Sequence, residues 1–95
     1  MDFFMNNLKD TLDAINKLID NNVYIVNTKR IRRCFNIKSS DRSKINFIWR
    51  SLKFLEQEGI LTLNGITNPK TYKILTDQKI DTKKFLNKIE RDKKR

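Results

Sequence analysis

Apolar residues recur along this chain with two periods, and the change from one to the other divides it into helices and short strands. In residues 41–61, DRSKINFIWRSLKFLEQEGIL, Ile45, Ile48, Leu52 and Leu55 are spaced by three and four, which stacks them on one face of a helix. Gly59 follows the last periodic turn, where a C-terminal cap is expected, and Ser40 or Asp41 can cap the start. Upstream, Met5, Leu8, Leu12, Ile15 and Ile19, widened by Phe4 and Leu18, predict a first helix over 2–20. Asp2 suits the positive end of its dipole, and Asn21-Asn22 can end it because Asn tolerates the left-handed conformation. Lys29 to Asn36 reads as a shorter helix with an N-cap at Asn27-Thr28. Ile31, Cys34 and Phe35 are expected to point inward, with Ile37 closing the segment. Asp81 can cap a last helix whose stripe is Phe85, Leu86 and Ile89.

The strand patterns are short. Val23-Tyr24-Ile25-Val26 is β-prone but needs a partner. Ile60 to Ile66 reads as a strand with a bend at Asn64-Gly65, Thr67-Asn68-Pro69-Lys70 as a turn, and Thr71 to Leu75 as the returning strand. The third helix therefore leads into a β-hairpin, with Val23 to Val26 as its natural third strand. The whole is an α+β domain over 1–77, followed by a basic C-terminal helix and tail over 78–95.

Charge gives this architecture a direction. Opposite the apolar stripe of the third helix lie Arg42, Ser43, Asn46, Arg50, Lys53 and Gln57, a face of three cations, two amides and a hydroxyl without a carboxylate. A solvated helix face normally mixes signs. A DNA major groove asks for cations to meet phosphates and for bidentate groups to meet base edges. Arg42, Ser43, Asn46 and Arg50 are the candidates for base reading. Lys29, Arg30, Arg32, Arg33, Lys44, Lys53 and Lys70 are the candidates for phosphate contact. The cluster at Lys29–Arg33 opposes its own helix dipole, a conflict that nearby phosphates would relieve. The full chain has 95 residues, with 21 Lys and Arg against 11 Asp and Glu, a balance that favours polyanions. The first helix is the exception: two Lys and four Asp over 2–20 give it a net charge of −2, which marks it as the back of the core. Residues 79–95, with eight cations and three acids for a net +5, could follow a DNA backbone.

Other chemistries find little support. The sequence contains no His and one Cys, so a Cys–His or Ser–His pair is impossible and zinc is not expected. Asp10 and Asp13 share a helical face but have no third ligand nearby, so no metal is expected. No glycine-rich phosphate loop occurs, and no cofactor or small-molecule substrate is evident. The apolar runs are too short to span a bilayer, and MDFFMNN lacks the basic start and apolar core of a secretory signal. A single Cys34 suits a reducing compartment. The expected location is cytoplasmic, on the nucleoid.

The order helix, strand, helix, helix, strand, strand, together with two local motifs, resembles the winged helix-turn-helix superfamily. Leu52-Lys53-Phe54-Leu55-Glu56-Gln57-Glu58-Gly59-Ile60-Leu61 is similar to the L-x-x-L-E-x-x-G-L-I run that ends the recognition helix in winged-helix regulators. Tyr72-Lys73-Ile74-Leu75-Thr76-Asp77 resembles the Y-x-L-T close of the wing in MarR-like and PadR-like proteins, and Thr28 to Ile37 is similar to their second helix. The resemblance covers roughly residues 2–77. It implies a winged helix-turn-helix whose third helix reads DNA, and a C-terminal helix that contributes to a dimer.

The chain departs from that pattern before the L-x-x-L-E run. Where many relatives carry small polar residues it has Phe47 and Trp49, while Arg50 matches the frequent Arg. Trp49 is expected at the edge of the core, with its N–H in reach of a phosphate. Phe47 and Phe54 make a second apolar ridge, expected to pack under the C-terminal segment or to form a dimer seam rather than to touch thymine methyls. Phe47, Phe54, Phe85, Leu86 and Ile89 are thus the candidate dimer or partner surface. The expected function is sequence-specific binding of double-stranded DNA by a homodimeric transcriptional regulator of a prokaryote or its mobile element. Two alternatives are a chromatin-like protein that coats DNA with little sequence preference, and a winged helix that holds a protein partner.

Overall fold

The computed structural model describes residues 3–65 and 70–93; Asp2 and most of the turn at 67–70 lie outside them. The first helix, α1, covers Phe3–Asp20. It ends as its Asn pair predicts: Asn22 adopts φ 58°, its N–H donates to Ile19 O at 3.0 Å and that of Val23 to Leu18 O at 2.8 Å. This double closure satisfies carbonyls that the helix end would otherwise leave unpaired. It also explains why the first strand is shorter than expected. Val23 is committed to the helix end, so β1 covers only Ile25–Val26.

The second helix, α2, covers Thr28–Phe35. Asn27 Oδ1 accepts from Arg30 N at 2.9 Å to cap its start, and Asn36 ends it at φ 52°. The third helix, α3, covers Arg42–Gln57, with Asp41 as its N-cap accepting from Lys44 N. At its far end Gly59 has φ 82°, and the N–H groups of Gly59 and Ile60 donate to Glu56 O and Leu55 O. A side chain at Gly59 would meet no neighbour, so the glycine is there for its backbone angle, which L-residues adopt only under strain. Strand β2 (Leu61–Leu63) comes immediately after and pairs antiparallel with β3 (Tyr72–Ile74). Strand β1 joins the other side of β3, Val26 facing Tyr72, for the order β1-β3-β2. The last helix, α4, covers Thr82–Lys93, and Asp81 Oδ1 accepts from Lys84 N at its start. The result is a small α+β domain of four helices and a three-stranded antiparallel sheet.

The apolar stripes meet in one core. Leu8, Leu12 and Ile15 of α1, Ile31 of α2, and Ile48, Leu52 and Leu55 of α3 are buried with Val26, Leu61, Tyr72, Ile74 and Ile89. Ile45 is half-buried at the edge. Phe35 corrects the sequence reading: it is 40% exposed. It is the last residue of α2, and the left-handed turn at Asn36 lets Ile37 pack against the core instead. Among the described residues no helix is long and apolar enough to cross a membrane.

Helix α4 is tied to α1 by one amide. Asn16 Oδ1 accepts from Ile80 N at 2.7 Å, and its Nδ2 donates to Ile80 O at 2.9 Å and to Thr82 Oγ1 at 3.5 Å. A groove shared by Met5, Lys9 and Asp13 with Leu86 and Glu90 continues along the two helices. Asn16→Ala leaves both Ile80 backbone groups without their partner and is expected to cost about 1–3 kcal/mol. Denaturant unfolding would measure the loss, and amide exchange should rise first at the start of α4.

Tyr72 supplies a pH handle. Burial, and secondarily the nearby Glu56 carboxylate, push its phenol above the ordinary 10.0. Below pH 10 the phenol is neutral in folded and unfolded chains alike. Above it the unfolded chain ionises first, so stability falls as pH rises toward the folded-state value. The denaturation midpoint of the wild type is expected to drop more between pH 9 and 11 than that of Tyr72→Phe.

Candidate nucleic-acid interface

The two faces of α3 have separate fates. Ile48, Ser51, Leu52 and Leu55 are buried, with the Ser51 hydroxyl satisfied by Phe47 O at 2.8 Å. Arg42, Ser43, Asn46, Arg50, Lys53 and Gln57 are all exposed. The 3.6-residue period makes this separation unavoidable once the apolar stripe is buried. Arg50 Cζ stands 5.8 Å from the Phe47 ring centroid, a cation–π contact within one helical turn.

Ion pairing sorts the remaining cations. Among the described residues the ion pairs are Lys9–Asp13, Lys44–Asp10 and Lys79–Asp20. Lys44 is half-buried, and its Nζ lies 3.1 Å from Asp10 Oδ2 of α1, so the structure turns this candidate phosphate ligand toward the back of the domain. Arg42, Arg50, Lys53 and Lys70 have no carboxylate partner among the described residues, and neither have Lys29, Arg30 and Arg33 on α2. Arg32 differs from its neighbours: it is half-buried, and its Nε is enclosed without a hydrogen-bond partner. It borders a shallow basic hollow with Lys29, Arg33, Asn36 and Ile37.

Trp49 is the second correction. It is 41% exposed rather than at the core edge. The hairpin approaches α3 here: Lys53 Nζ lies 5.4 Å and Lys70 Nζ 5.8 Å from the Trp49 ring centroid. The Trp49–Lys53 contact follows from their i,i+4 spacing and was available to sequence reasoning. The Lys70 contact depends on how the hairpin folds back and carried no local signal. The same holds for the pairing of Lys44 with Asp10, 34 residues apart.

The Phe ridge is largely covered from α1. Phe54 meets Phe4 edge to face at 5.7 Å between centroids, and half-buried Phe47 shares a hollow with Asn6 and Asn7. Of the α4 stripe, Ile89 is buried and Phe85 and Leu86 are half-buried against the same core.

The described residues bring together no group of three or more His, Cys, Asp or Glu side chains that could hold a metal ion. The arrangement is an exposed, cationic helix face flanked by Lys70 of the hairpin. The chain matches no protein-family model, and no curated protein or solved structure is detectably similar to it.

Arg32 gives a prediction independent of any ligand. An enclosed donor without a partner carries a desolvation cost that its stem packing must offset. Arg32→Met keeps the stem and deletes the donor. It is expected to leave stability unchanged or raise it by up to about 1 kcal/mol in denaturant unfolding.

Proposed function

We propose that this chain is a winged helix-turn-helix protein that binds double-stranded DNA sequence-specifically and regulates transcription. In this reading α2 and α3 are the helix-turn-helix, α3 is the recognition helix and the β2–β3 hairpin is the wing. The observation that carries it is the exposed, carboxylate-free face of α3, with Arg42, Ser43, Asn46 and Arg50 turned away from the core. Arg can clamp guanine O6 and N7, and Asn can clamp adenine N6 and N7. Lys53, Lys70 and the exposed cations of α2 meet phosphates, which fix position without carrying sequence information.

A two-fold homodimer belongs to this reading, because paired half-sites lie about one helical turn apart. An interface through α4 would use the surface that Phe85 and Leu86 leave uncovered. The corresponding compartment is the cytoplasm, on the nucleoid. One observation favours a second reading, a DNA-coating protein with little sequence choice: the formal charge of +10 for the whole chain. The third possibility, an exposed Phe ridge that holds a protein partner, loses support because Phe54 packs on Phe4.

Footprinting on DNA upstream of the chain's own coding region separates these readings, with a discrete protected site expected for the regulator and uniform protection for the coating protein. Log affinity should fall linearly with log salt, with a slope of about −0.9 per phosphate contacted; salt-independent binding, or none at low salt, would remove the DNA reading altogether. Arg50→Ala is expected to cost about 1–3 kcal/mol on the preferred site and to flatten the preference between sites. Lys70→Ala should weaken all sites nearly equally and reduce the salt slope by about one contact. Lys44→Ala should change the slope less than Lys70→Ala, because Asp10 already neutralises Lys44. Equal losses on every sequence for Arg50→Ala and Lys70→Ala would favour the coating protein.

A further inference from the structure

Trp49 is the point at which α3 and the hairpin converge. Lys53 reaches it from one turn further along the helix and Lys70 from the hairpin, their ammonium groups 5.4 and 5.8 Å from the same ring centroid. An indole face attracts each cation but has no net charge, so it leaves the repulsion between the two uncompensated. No carboxylate pairs with either lysine among the described residues. The indole N–H is a donor only, and no hydrogen bond engages it among the described residues. A large apolar ring held 41% exposed forgoes burial, although the core lies on the other side of the same helix. Two ammonium groups and an unengaged N–H donor gather about one indole ring, and an anion is the complement they lack.

We propose that Trp49, Lys53 and Lys70 form one composite seat for a backbone phosphate of duplex DNA. Trp49 gathers the helix lysine and the hairpin lysine by cation–π attraction and adds its own N–H to the phosphate. It is therefore a contact and positioning residue that couples the hairpin to α3, although it carries no charge. A duplex presents a negative charge about every 1.7 Å along its axis, so a strand crossing from α3 to the hairpin offers a phosphate at this junction. The inference rests on the DNA-binding reading above and deepens it.

The experiment titrates the full chain with fluorescently labelled duplex DNA at several salt concentrations. It follows label anisotropy for binding and the emission of Trp49, the single tryptophan, for the seat. Trp49 emission is expected to change in step with duplex binding. Trp49→Leu removes no charge, yet it is expected to lower the salt slope by about 0.9, one phosphate contact. In that background Lys70→Ala should add little further loss. Trp49→Phe, which keeps a ring without the N–H, should hold the slope and lose roughly two- to fivefold in affinity. Circular dichroism shows whether each variant keeps its fold. Duplex binding with unchanged Trp49 emission and an unchanged slope in Trp49→Leu overturns the seat and leaves the DNA reading standing. Trp49→Phe binding as tightly as wild type overturns the N–H donation. Tighter binding to the single strand than to the duplex, with the emission change confined to the single strand, replaces the phosphate seat with base stacking on Trp49. Absence of duplex binding by the wild type at low salt overturns both the seat and the reading beneath it.

Discussion

The structure depends on the burial of α1. Leu8, Leu12 and Ile15 are fully enclosed, and α2, α3 and α4 all pack on this helix. A chain this short buries only about 60–65% of its unfolded surface, so no second core exists to compensate for a loose first one. Truncating one of these side chains would cost about 2–5 kcal/mol, a large part of the roughly 5–15 kcal/mol typical of a small domain. The polar positions of α1 are used as fully. Asp10, Asp13 and Asp20 each hold a lysine, and Asn16 holds the backbone that leads into α4. The acids of α1 are therefore neutralised by Lys9 of the same helix and by Lys44 and Lys79 from outside it.

Around that spine, the turns are made by residues that accept positive φ. Asn22, Asn36 and Gly59 end α1, α2 and α3, and the closures after α1 and α3 return orphan carbonyls of the last turn to the chain. Each stop also aims the next segment. Asn22 delays β1 until Ile25, and Gly59 delivers Leu61 directly into β2, where it pairs with Ile74. The sheet is consequently small. Its ladder is extended at both ends by single hydrogen bonds, Leu75 N to Ile60 O and Asn64 N to Thr71 O. Those bonds fix where the hairpin leaves the body of the domain and hence where Lys70 stands.

Helix α3 links packing to the proposed activity. One side supplies Ile48, Leu52 and Leu55 to the core, and the opposite side is left with cations, amides and a hydroxyl. Burial of the first makes the second rigid: the base-reading candidates sit on a helix that cannot rotate without exposing its leucines. Trp49 lies between the two regimes, carried by the helix but engaged by charges from two elements.

Much of this was determined by the sequence alone. Helix spans, their Asn, Asp and Gly ends, the three strands and the division of α3 into an inner and an outer face all arise from local rules: a 3.6-residue period, side chains that cap, and residues that tolerate positive φ. These act within a few positions of one another, so a linear chain records them. The tertiary structure decided whatever depends on distant residues meeting. It withdrew Lys44 from the outer face by pairing it with Asp10, covered Phe54 with Phe4, and set Lys70 against Trp49. Phe35 shows the same division at a smaller scale. Its period pointed inward, but the turn at Asn36 gave the inner position to Ile37. Periodicity names the face a residue would share if its helix continued. Which neighbour waits at that face, and whether a charge there is already neutralised, is fixed only when segments tens of residues apart are packed together.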